Sequence, residues 1–484
     1  MKIISYWQPR FSRACLPLSH RLIVALTALL ALIALFGFGR TFEAHAAVPQ
    51  AIIPGGSWTD SSGNSLQAHG AGLIKVGSTY YWFGEDRTQN NSAFANINCY
   101  ASTDLVHWTF RNHVLTLQSS GDLGPNRVVE RPKVIYNAST QTFVMYLHID
   151  NSSYGEAKVG VATSSSVDGG YTYRGSYNPQ GNQSRDMTVF EDSDGSAYLI
   201  YSTNSNNDLK IDKLSSDYLS DSSTIKTFSG VRWEAPGMFK ANGRYYLVTS
   251  SPTGWAPNPN MYASTTSLTG SWAATASLAP SSPNTYDSQD AYILPVAGTS
   301  TTTYIYMGDR WDSTALGNSR YIWLPLSFNG TAISLSYHDA WNINVTTGAW
   351  SAVSTTSYEA ESSANTLSGG AVVMSCSNCS GGKDVGFIGN NSGTLQFNKV
   401  SASSSDNYLL IIYYANGDSA ARKAQVSVNG GTATTFSFAS SHGGGLVATL
   451  PVTVHLNAGS NTIKIYNTST SFWAPDIDKI DLAN

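Results

Sequence analysis

The chain has 484 residues, enough for two or three domains, and only 12% of them are charged, against about 25% in ordinary soluble proteins. The formal net charge is −4 and no basic run follows the N-terminal segment, which argues against a nucleic-acid partner. Aromatic residues contribute 12%, with 12 Trp and 27 Tyr, so an uncharged, hydroxyl-rich ligand suits this composition best.

The N-terminal segment has the order of a secretory signal peptide. Arg10, Arg13 and Arg21 precede the apolar run "LIVALTALLALIALFGF", and "AHAAVPQ" then offers small residues for cleavage after Ala46. We therefore expect residues 1–46 to be removed and the mature protein to be secreted, extracellular and free of the membrane. A retained transmembrane anchor is the alternative, although the apolar run lies at the lower limit of length for spanning a bilayer.

Residues 51–345 repeat one plan five times, in which a polar residue leads into an apolar strand, a short turn and an aromatic-rich strand. The stretches are "QAHGAGLIKVGSTYYWFGED", "VVERPKVIYNASTQTFVMYLHID", "SRDMTVFEDSDGSAYLIYSTN", "WEAPGMFKANGRYYLVTS" and "DSQDAYILPVAGTSTTTYIYMGDRW". Their leading residues, spaced by roughly 50 to 60 positions, are His69, Glu130, Asp186, Glu234 and Gln289. This period predicts an all-β, five-bladed β-propeller whose leading residues converge on one axial pocket.

The acidic leading residues are the main candidates for chemistry, because no other catalytic motif stands in a convincing context. Sugar hydrolysis needs an acid that protonates the leaving oxygen. Glu234 stands between a tryptophan and Ala-Pro, and such a partly apolar pocket would favour its neutral form, helped by the nearby charge of Asp186. Ion pairs of Glu234 with Arg232 and of Asp186 with Arg185 are the structural alternatives.

The rest of the chain changes character. After a Ser/Thr-rich join at residues 346–357, residues 358–484 show short alternating strands between Gly/Asn/Ser turns, which predicts a β-sandwich of jelly-roll type. Cys376 and Cys379 in "CSNC" are expected to form a short disulfide, and Cys99 to be a buried thiol.

Two motifs resemble a known enzyme family. "SRDMTVFEDSDGSAYLIY" and "WEAPGMFKANGRYYLV" resemble the third- and fourth-blade signatures of glycoside hydrolase family 43, five-bladed propellers that hydrolyse with inversion. The resemblance implies Glu234 as general acid and Asp186 as the residue that modulates its pKa and orientation. The first blade departs from the family, because "QAHGAGLI" has His69 and Gly70 where most members carry the Asp that acts as general base. For His69 we favour a structural histidine bonded to a neighbouring blade.

Further stretches, "QAHGAG", "YYWFGED", "NRVVERPKVIYN", "NSSYGEA", "SPTGWAPNPN", "YDSQDAY" and "MGDRW", resemble the exo-β-1,3-galactanase branch of that family, which lacks the usual base. This resemblance implies Gln289 beside the attacking water and Glu130 in the substrate pocket. It also implies three subsite contacts: Glu85, Tyr154 and Trp255.

A neutral amide is a very poor base, so Gln289 could act only by orienting water while a proton leaves through a relay, or through its imidic-acid tautomer. Asp287, Asp290 and Glu130 are therefore alternative proton acceptors. For the "GDRW" stretch with Asp309, Arg310 and Trp311, we favour an arginine between blades over a role in the pocket.

The C-terminal part resembles carbohydrate-binding module family 35 through "YEAE", "SGGKDVGFIG", "YYANGDSAARKAQVSVNG" and "WAPDIDKIDL". Glu359 and Glu361 on the opening strand and Asp478 on the closing strand supply oxygens that fit a structural Ca²⁺, which the resemblance also implies. The sugar contacts that it implies are Tyr414, Asn416, Arg422, Trp473 and Asp476.

We therefore expect a secreted, monomeric exo-β-1,3-galactanase that cleaves arabinogalactan-type backbones with inversion and needs no cofactor for catalysis. An arabinan- or xylan-active enzyme of the same family is one alternative, against which the missing first-blade Asp counts. A non-catalytic, galactan-binding, lectin-like propeller is another, and the presence of both Glu234 and Asp186 disfavours it.

Overall fold

The computed structural model describes residues 51–282, 284–390, 392–441 and 446–483, and the expected signal peptide at residues 1–46 lies outside them. The described chain consists of β-strands and turns. Its helical structure is limited to short 3₁₀ turns at Gly121–Leu123, Pro179–Gly181, Leu316–Asn318 and Ser380–Gly382. None of the helices in the described ranges has the length and hydropathy needed to cross a membrane.

Each of the five repeated stretches supplies the first two strands of a four-stranded antiparallel sheet, and the sheets are numbered here from first to fifth along the chain. The strands of the first three sheets are β1 (His69–Val76), β2 (Thr79–Glu85), β3 (Asn96–Ser102), β4 (Thr109–Thr116), β5 (Arg127–Asn137), β6 (Thr142–Asn151), β7 (Lys158–Ser164), β8 (Thr172–Tyr177), β9 (Met187–Glu191), β10 (Ala197–Thr203), β11 (Asp208–Leu214) and β12 (Asp221–Phe228). Those of the fourth and fifth sheets are β13 (Glu234–Ala241), β14 (Arg244–Ser250), β15 (Met261–Thr265), β16 (Ala276–Ser277), β17 (Gln289–Ala297), β18 (Thr302–Arg310), β19 (Arg320–Asn329) and β20 (Ala332–Leu335).

The predicted leading residues lie at or near the start of the first strand of each sheet. A β-bulge follows three of them, at the starts of β1, β5 and β13. The next residue is left-handed in each case: Gly70 with φ 61°, Arg131 with φ 52° and Ala235 with φ 49°. Because a bulge bends a strand and re-aims its side chains, this repeated irregularity directs the leading residues toward a common end.

Buried apolar clusters join each sheet to the next along the chain. A further cluster joins the fifth sheet to the first, and in it the ring centroid of Trp82 lies 5.1 Å from that of Trp108 and 4.8 Å from that of Trp323. The first strands also contact one another in the same order, and β17 contacts β1. The starts of all five first strands therefore surround one region.

The expected join at residues 346–357 is structured. It contains β22 (Trp350–Ala352), which pairs with β21 (Trp341–Ile343), and the beginning of β23 (Thr355–Glu359). The indole ring of Trp350 lies edge-on to that of Trp341, with centroids 6.3 Å apart. The connection between the two parts of the chain is thus fastened to the protein by strand pairing and ring packing.

The C-terminal part is a two-sheet module in which β23 pairs with the last strand, as predicted for its opening and closing strands. One sheet contains β23, β25 (Val372–Ser375), β26 (Lys383–Gly386), β28 (Asp406–Ala415), β31 (Ala448–Leu456) and β33 (Asp476–Ala483), and the other β24 (Thr366–Ser368), β27 (Thr394–Ala402), β29 (Arg422–Val428), β30 (Thr434–Phe438) and β32 (Gly459–Tyr466). An apolar core lies between them. The Cys376–Cys379 disulfide and the buried free thiol of Cys99 are confirmed.

Candidate active site

A cavity of about 310 Å³ lies where the first strands begin. Seven side chains that the sequence analysis predicted for the pocket line this cavity, and they come from all five sheets. They are Glu85, Glu130, Tyr154, Asp186, Glu234, Trp255 and Gln289. Further polar and aromatic residues line it that the sequence analysis did not single out for the pocket: Arg131, His148, Arg185, Asn206 and Trp311. The cavity is thus rich in hydrogen-bonding groups, with indole rings on one side.

Glu234 is an acid held in its neutral form. Its side chain is buried, its Oε1 accepts a hydrogen bond from Gln289 Nε2 at 2.9 Å, and its Oε2 lies 3.2 Å from Asn206 Nδ2. Burial and the negative charge of Asp186 raise the pKa of Glu234 to about 8, against the opposing charge of Arg131. The carboxyl therefore carries a proton at neutral pH, as a general acid must.

Asp186 is anchored beside this acid. Its Oδ2 accepts a hydrogen bond from the backbone N–H of Ala235 at 3.1 Å and pairs with Arg131 Nη2 at 2.9 Å. The adjoining Arg185 instead donates to the carbonyl oxygen of Tyr154 at 2.9 Å. Asp186 therefore forms its ion pair with Arg131 of the second sheet and not with its chain neighbour Arg185.

The Gln289 side chain has one possible orientation. Its Oε1 accepts from Arg131 Nη2 at 2.9 Å and from Trp311 Nε1 at 3.0 Å, two groups that can only donate. Its Nε2 therefore faces Glu234 and Ser250 Oγ, the latter at 3.1 Å. An amide held in this way can orient a neighbouring molecule but cannot rotate to exchange its donor and acceptor.

Glu130 is ionised and fully engaged. Its Oε1 accepts from Arg87 Nη2 and from Tyr154 Oη, each at 2.9 Å. Burial would raise its pKa, but the interaction with His148 and the charge of Arg87 lower the pKa of Glu130 to about 2. Arg87 also donates through Nε to Glu85 Oε2 at 2.9 Å, and by bonding both Glu85 and Glu130 it ties the first sheet to the second.

His148 is the main residue that sequence analysis missed. Its Nδ1 lies 3.3 Å from Glu130 Oε2 and its Nε2 lies 3.1 Å from Asp150 Oδ2. Burial opposes its charge, but these two carboxylates raise the pKa of His148 to about 9, so the ring is a cation at neutral pH. The only sequence signal was a histidine two residues before an aspartate at the end of an apolar strand, in "YLHID".

Two of the alternative proton acceptors are unsuitable. Asp287 is exposed and does not line the cavity. Asp290 is buried outside the cavity lining, and burial raises its pKa well above the ordinary value. Of the three candidates, Glu130 alone is an ionised carboxylate at the cavity wall.

The structural role expected for His69 is confirmed, since its Nδ1 lies 2.9 Å from Asp309 Oδ1 of the fifth sheet and its ring stacks on Tyr321. Arg310 donates to the carbonyl oxygen of Tyr286 at 2.8 Å, outside the pocket. The preference against a pocket role was wrong for Trp311, which lines the cavity and packs edge-on against Trp255 with ring centroids 4.9 Å apart.

In the C-terminal module, three carboxylates converge on one turn. Glu359 Oε1 accepts from Ser380 Oγ at 2.7 Å, and Asp478 Oδ1 accepts from the backbone N–H of Ser380 at 2.9 Å. Glu361, which follows β23 rather than lying on it, places Oε1 beside Gly381, only 2.8 Å from where a Cβ would stand. The Oε2 atoms of both glutamates are buried and have no hydrogen-bond partner among the described residues. These orphaned oxygens fit a hard cation.

Two of the expected sugar contacts in this module are wrong. Tyr414 is buried in the apolar core against Phe438, and the buried Asn416 donates to the carbonyl oxygens of Ala420 and Phe438. Neither side chain is accessible to a ligand. The sequence could not separate them from exposed residues of the same strand and turn.

The other three expected contacts lie nearer the surface. Trp473 is partly exposed beside Phe387, with ring centroids 5.5 Å apart. Arg422 donates to the carbonyl oxygen of Ala474 at 3.2 Å. Burial and the charge of Asp384 raise the pKa of Asp476 to about 6.

Two family models match the chain. The model described as glycosyl hydrolases family 43 matches residues 67–302, and one described as an alpha-galactosidase CBM13 domain matches residues 394–481. The C-terminal part is thus a carbohydrate-binding module. A family 35 carbohydrate-binding module from Clostridium thermocellum is 40% identical over 27% of this chain and 98% of its own, with a TM-score of 0.26. None of the curated proteins compared matches the chain.

Solved structures match most of the length. A structure of exo-β-1,3-galactanase from Phanerochaete chrysosporium with β-1,3-galactotriose is 43% identical, covering 90% of this chain and 100% of its own with a TM-score of 0.74. An exo-β-1,3-galactanase from Clostridium thermocellum is 30% identical, covering 88% of this chain and 100% of its own with a TM-score of 0.60. With such identity across the whole of these relatives, and a buried neutral acid in a sugar-sized cavity, the chain belongs to glycosyl hydrolase family 43 and is a glycoside hydrolase.

Proposed function

We propose that this hydrolase is a secreted, exo-acting β-1,3-galactanase that cleaves arabinogalactan-type backbones with inversion. The observation that carries the proposal is the raised pKa of Glu234 in a cavity that it shares with Asp186, Glu130 and Gln289, while His69 and not an acid begins β1. Both relatives described above are named exo-β-1,3-galactanases, and one is named with β-1,3-galactotriose. Arabinan and xylan remain alternative substrates, and galactan binding without cleavage an alternative activity.

In the proposed reaction, Glu234 gives its proton to the glycosidic oxygen as the bond from that oxygen to the anomeric carbon breaks. The anomeric carbon becomes oxocarbenium-like, and water attacks it from the opposite face. Attack makes the water strongly acidic, so a weak acceptor suffices. The ionised Glu130 can take that proton directly or through solvent, while Asp186 keeps Glu234 protonated between turnovers.

Gln289 raises a geometric requirement. Inversion needs room for a sugar and a water between the acid and the group that positions the water, a separation of roughly 6.5–9.5 Å in enzymes with two carboxylates. Gln289 Nε2 lies 2.9 Å from Glu234 Oε1. One of the two side chains must therefore turn away when substrate enters, if Gln289 positions the water.

The substrate is tested by sugar release from β-1,3-galactan, arabinan and xylan. We expect release from galactan alone, and a fall of about 10²–10⁴-fold in Glu234→Gln because the leaving oxygen is no longer protonated. Glu191→Gln, which changes an exposed carboxyl outside the cavity, is the matched control and should keep full activity. Binding of galactan with no release above that of Glu234→Gln would establish a lectin-like protein instead.

The stereochemistry is tested by proton NMR of the first product formed. Inversion of a β-linkage predicts early accumulation of the α-anomer, followed by mutarotation to the equilibrium mixture. Early accumulation of the β-anomer would show retention and would contradict the proposed mechanism.

We also propose that the five sheets are the blades of a closed five-bladed β-propeller over residues 51–345, preceded by a signal peptide at residues 1–46. The apolar cluster between the fifth and first sheets supports closure. Residues 346–357 then join the propeller to a module of family 35 type at residues 358–484, which holds the monomeric enzyme on its polysaccharide.

A structural Ca²⁺ is proposed for the module, held by Glu359, Glu361 and Asp478. The buried, unpartnered Oε2 atoms of the two glutamates support it. We expect chelation with EDTA to lower the unfolding temperature of the protein and added CaCl₂ to restore it. In Glu361→Gln the response to CaCl₂ should weaken, and an unfolding temperature indifferent to both reagents would contradict the site.

A further inference from the structure

The acidic proton of Glu234 can be placed on one of its two oxygens. Because Arg131 and Trp311 can only donate, they hold Gln289 with Nε2 toward Glu234. Glu234 Oε1 consequently accepts an N–H at 2.9 Å, which favours Oε1 as the carbonyl oxygen of the neutral acid, because a carbonyl oxygen accepts better than a hydroxyl oxygen. The neutral acid therefore carries its proton on Oε2.

The neighbour of Oε2 is Asn206. Its Nδ2 lies 3.2 Å from Glu234 Oε2, while its Oδ1 is buried with no hydrogen-bond partner among the described residues. This orientation suits a carboxylate but sets an N–H against the O–H of the neutral acid. The oxygen and nitrogen of an amide have nearly the same shape, so the Asn206 amide fits equally well when it is turned by 180°. In that orientation Oδ1 accepts a hydrogen bond from the O–H of Glu234 and is no longer without a partner.

The backbone at Asn206 is unusual. Three consecutive residues, Asn204, Ser205 and Asn206, are left-handed with φ of 51°, 52° and 63°. Such conformations are unfavourable for most residues with a Cβ but least so for asparagine, so the two asparagines suit this turn. Here Gln183 Oε1 accepts from the backbone N–H of Ser205 at 3.0 Å, which helps to fix the turn.

We propose that Asn206 is a positioning residue whose Oδ1 accepts a hydrogen bond from the O–H at Glu234 Oε2 and holds that O–H at the cavity wall for proton transfer to the leaving oxygen. The inference rests on the proposed role of Glu234 as general acid. When substrate binds, the O–H turns from Asn206 to the glycosidic oxygen. The O–H bond then breaks as the bond to the anomeric carbon breaks, and its electron pair stays on the carboxylate of Glu234.

The test compares Asn206→Gly with Asn204→Gly, since glycine keeps the left-handed backbone of both positions and Asn204 instead bonds Asp208. The measurement is kcat/KM for β-1,3-galactotriose as a function of pH. Activity requires protonated Glu234 and falls as pH rises through its pKa. Loss of the acceptor should move this alkaline limb down by ~0.5–1 unit and reduce kcat with little change in KM, while Asn204→Gly leaves the limb in place.

Other results would overturn the assignment. An upward shift of the limb in Asn206→Gly would mean that Asn206 donates to the carboxylate in the resting enzyme. A raised KM in Asn206→Gly, with the alkaline limb of the pH profile unchanged, would show that Asn206 only contacts the sugar. Full activity of Glu234→Gln would show that Glu234 is not the general acid. That result would refute the proposed function, and it is measured without any change at Asn206.

Neutron diffraction of the unaltered, deuterated enzyme near pH 6 gives a second measurement that does not depend on a variant folding. We expect a deuteron on Glu234 Oε2 that points to Asn206 Oδ1. Amide deuterons of Asn206 directed at Oε2 would refute the proposal.

Discussion

Three neighbouring side chains in the cavity hold different protonation states at one pH. Burial and a like charge raise the pKa of Glu234 to about 8, hydrogen bonds and cations lower that of Glu130 to about 2, and two carboxylates raise that of His148 to about 9. At pH 7 the pocket therefore contains a neutral acid, a carboxylate and an imidazolium. Such separation of pKa values is how an enzyme assigns acid and base roles to similar groups.

The neutral state of Glu234 has a cost in stability that depends on pH. Its pKa rises from 4.5 to about 8 on folding, so this carboxyl costs no stability below pH 4.5, and the cost grows as pH rises from 4.5 to 8, where the folded protein keeps a proton that the unfolded chain releases. We expect Glu234→Gln to match the wild type in free energy of unfolding at pH 4 and to exceed it by a few kcal/mol at pH 8, at about 1.4 kcal/mol per pKa unit. Chemical unfolding at both pH values measures this, and equal differences at both would contradict it.

His148 has the opposite role in stability at neutral pH. Its pKa rises from 6.5 to about 9 on folding, so its stabilising contribution is complete below pH 6.5 and disappears as pH rises through 9. In His148→Gln two buried carboxylates lose their shared cation. We expect a loss of about 3 kcal/mol in free energy of unfolding at pH 6, shrinking toward zero near pH 10. A loss independent of pH would show that packing of the ring, not its charge, matters.

At the scale of elements, the site depends on backbone irregularities at the starts of first strands. Left-handed residues after bulges occur in β1, β5 and β13, and they bring backbone of one sheet close to side chains of another. Gly70 shows why one of these positions lacks a side chain. A Cβ there would stand 2.2 Å from Glu85 Oε1, which itself accepts from the backbone N–H of Arg131 at 2.7 Å.

Gly70→Ala and Gly77→Ala form a matched pair, because both glycines have φ 61° but a Cβ on Gly77 meets nothing within 4 Å. We expect Gly77→Ala to cost about 1 kcal/mol from backbone strain and to keep full activity. Gly70→Ala should cost roughly 1–3 kcal/mol more and reduce kcat/KM sharply, since Glu85 must move. Thermal unfolding and galactan hydrolysis check this, and equal effects of the two changes would contradict it.

At the scale of the whole molecule, the C-terminal module is packed onto the rest of the chain. Ile411 on β28 joins an apolar cluster with Ile53 and Ala340, and Tyr413 Oη donates to Asp339 Oδ1 at 3.1 Å. Ile412, the residue after Ile411, packs instead in the apolar core of the module. Adjacent positions on one strand thus serve the interface and the module separately.

This arrangement predicts coupled unfolding. We expect a single calorimetric transition in the wild type, and separate transitions in Ile411→Ala because the interface loses apolar contact. Ile412→Ala should instead lower the stability of the module, and each truncation should cost on the order of 2–5 kcal/mol. Identical calorimetric profiles for the two variants would show that the interface does not couple the two parts.

The repeat of polar leading residues and apolar strands was enough to predict the five sheets, because strand and turn formation follow local pattern. The same repeat predicted that Glu130, Asp186, Glu234 and Gln289 would meet, since equivalent positions of equivalent sheets meet at one end. Residues outside the repeat were harder. Tyr414 and Asn416 carry a ligand-like pattern, yet their burial follows from how two sheets pack.

The sequence by itself determined the strand order, the family and the acids at the strand starts, since these depend on local pattern and residue type. Only the tertiary structure decided which groups touch. The pairing of His148 with Glu130, of Arg131 with Gln289 and of Asn206 with Glu234 joins positions from different strands and sheets. Protonation states follow from those contacts and from burial, because a charge responds to distance in space and not to distance along the chain.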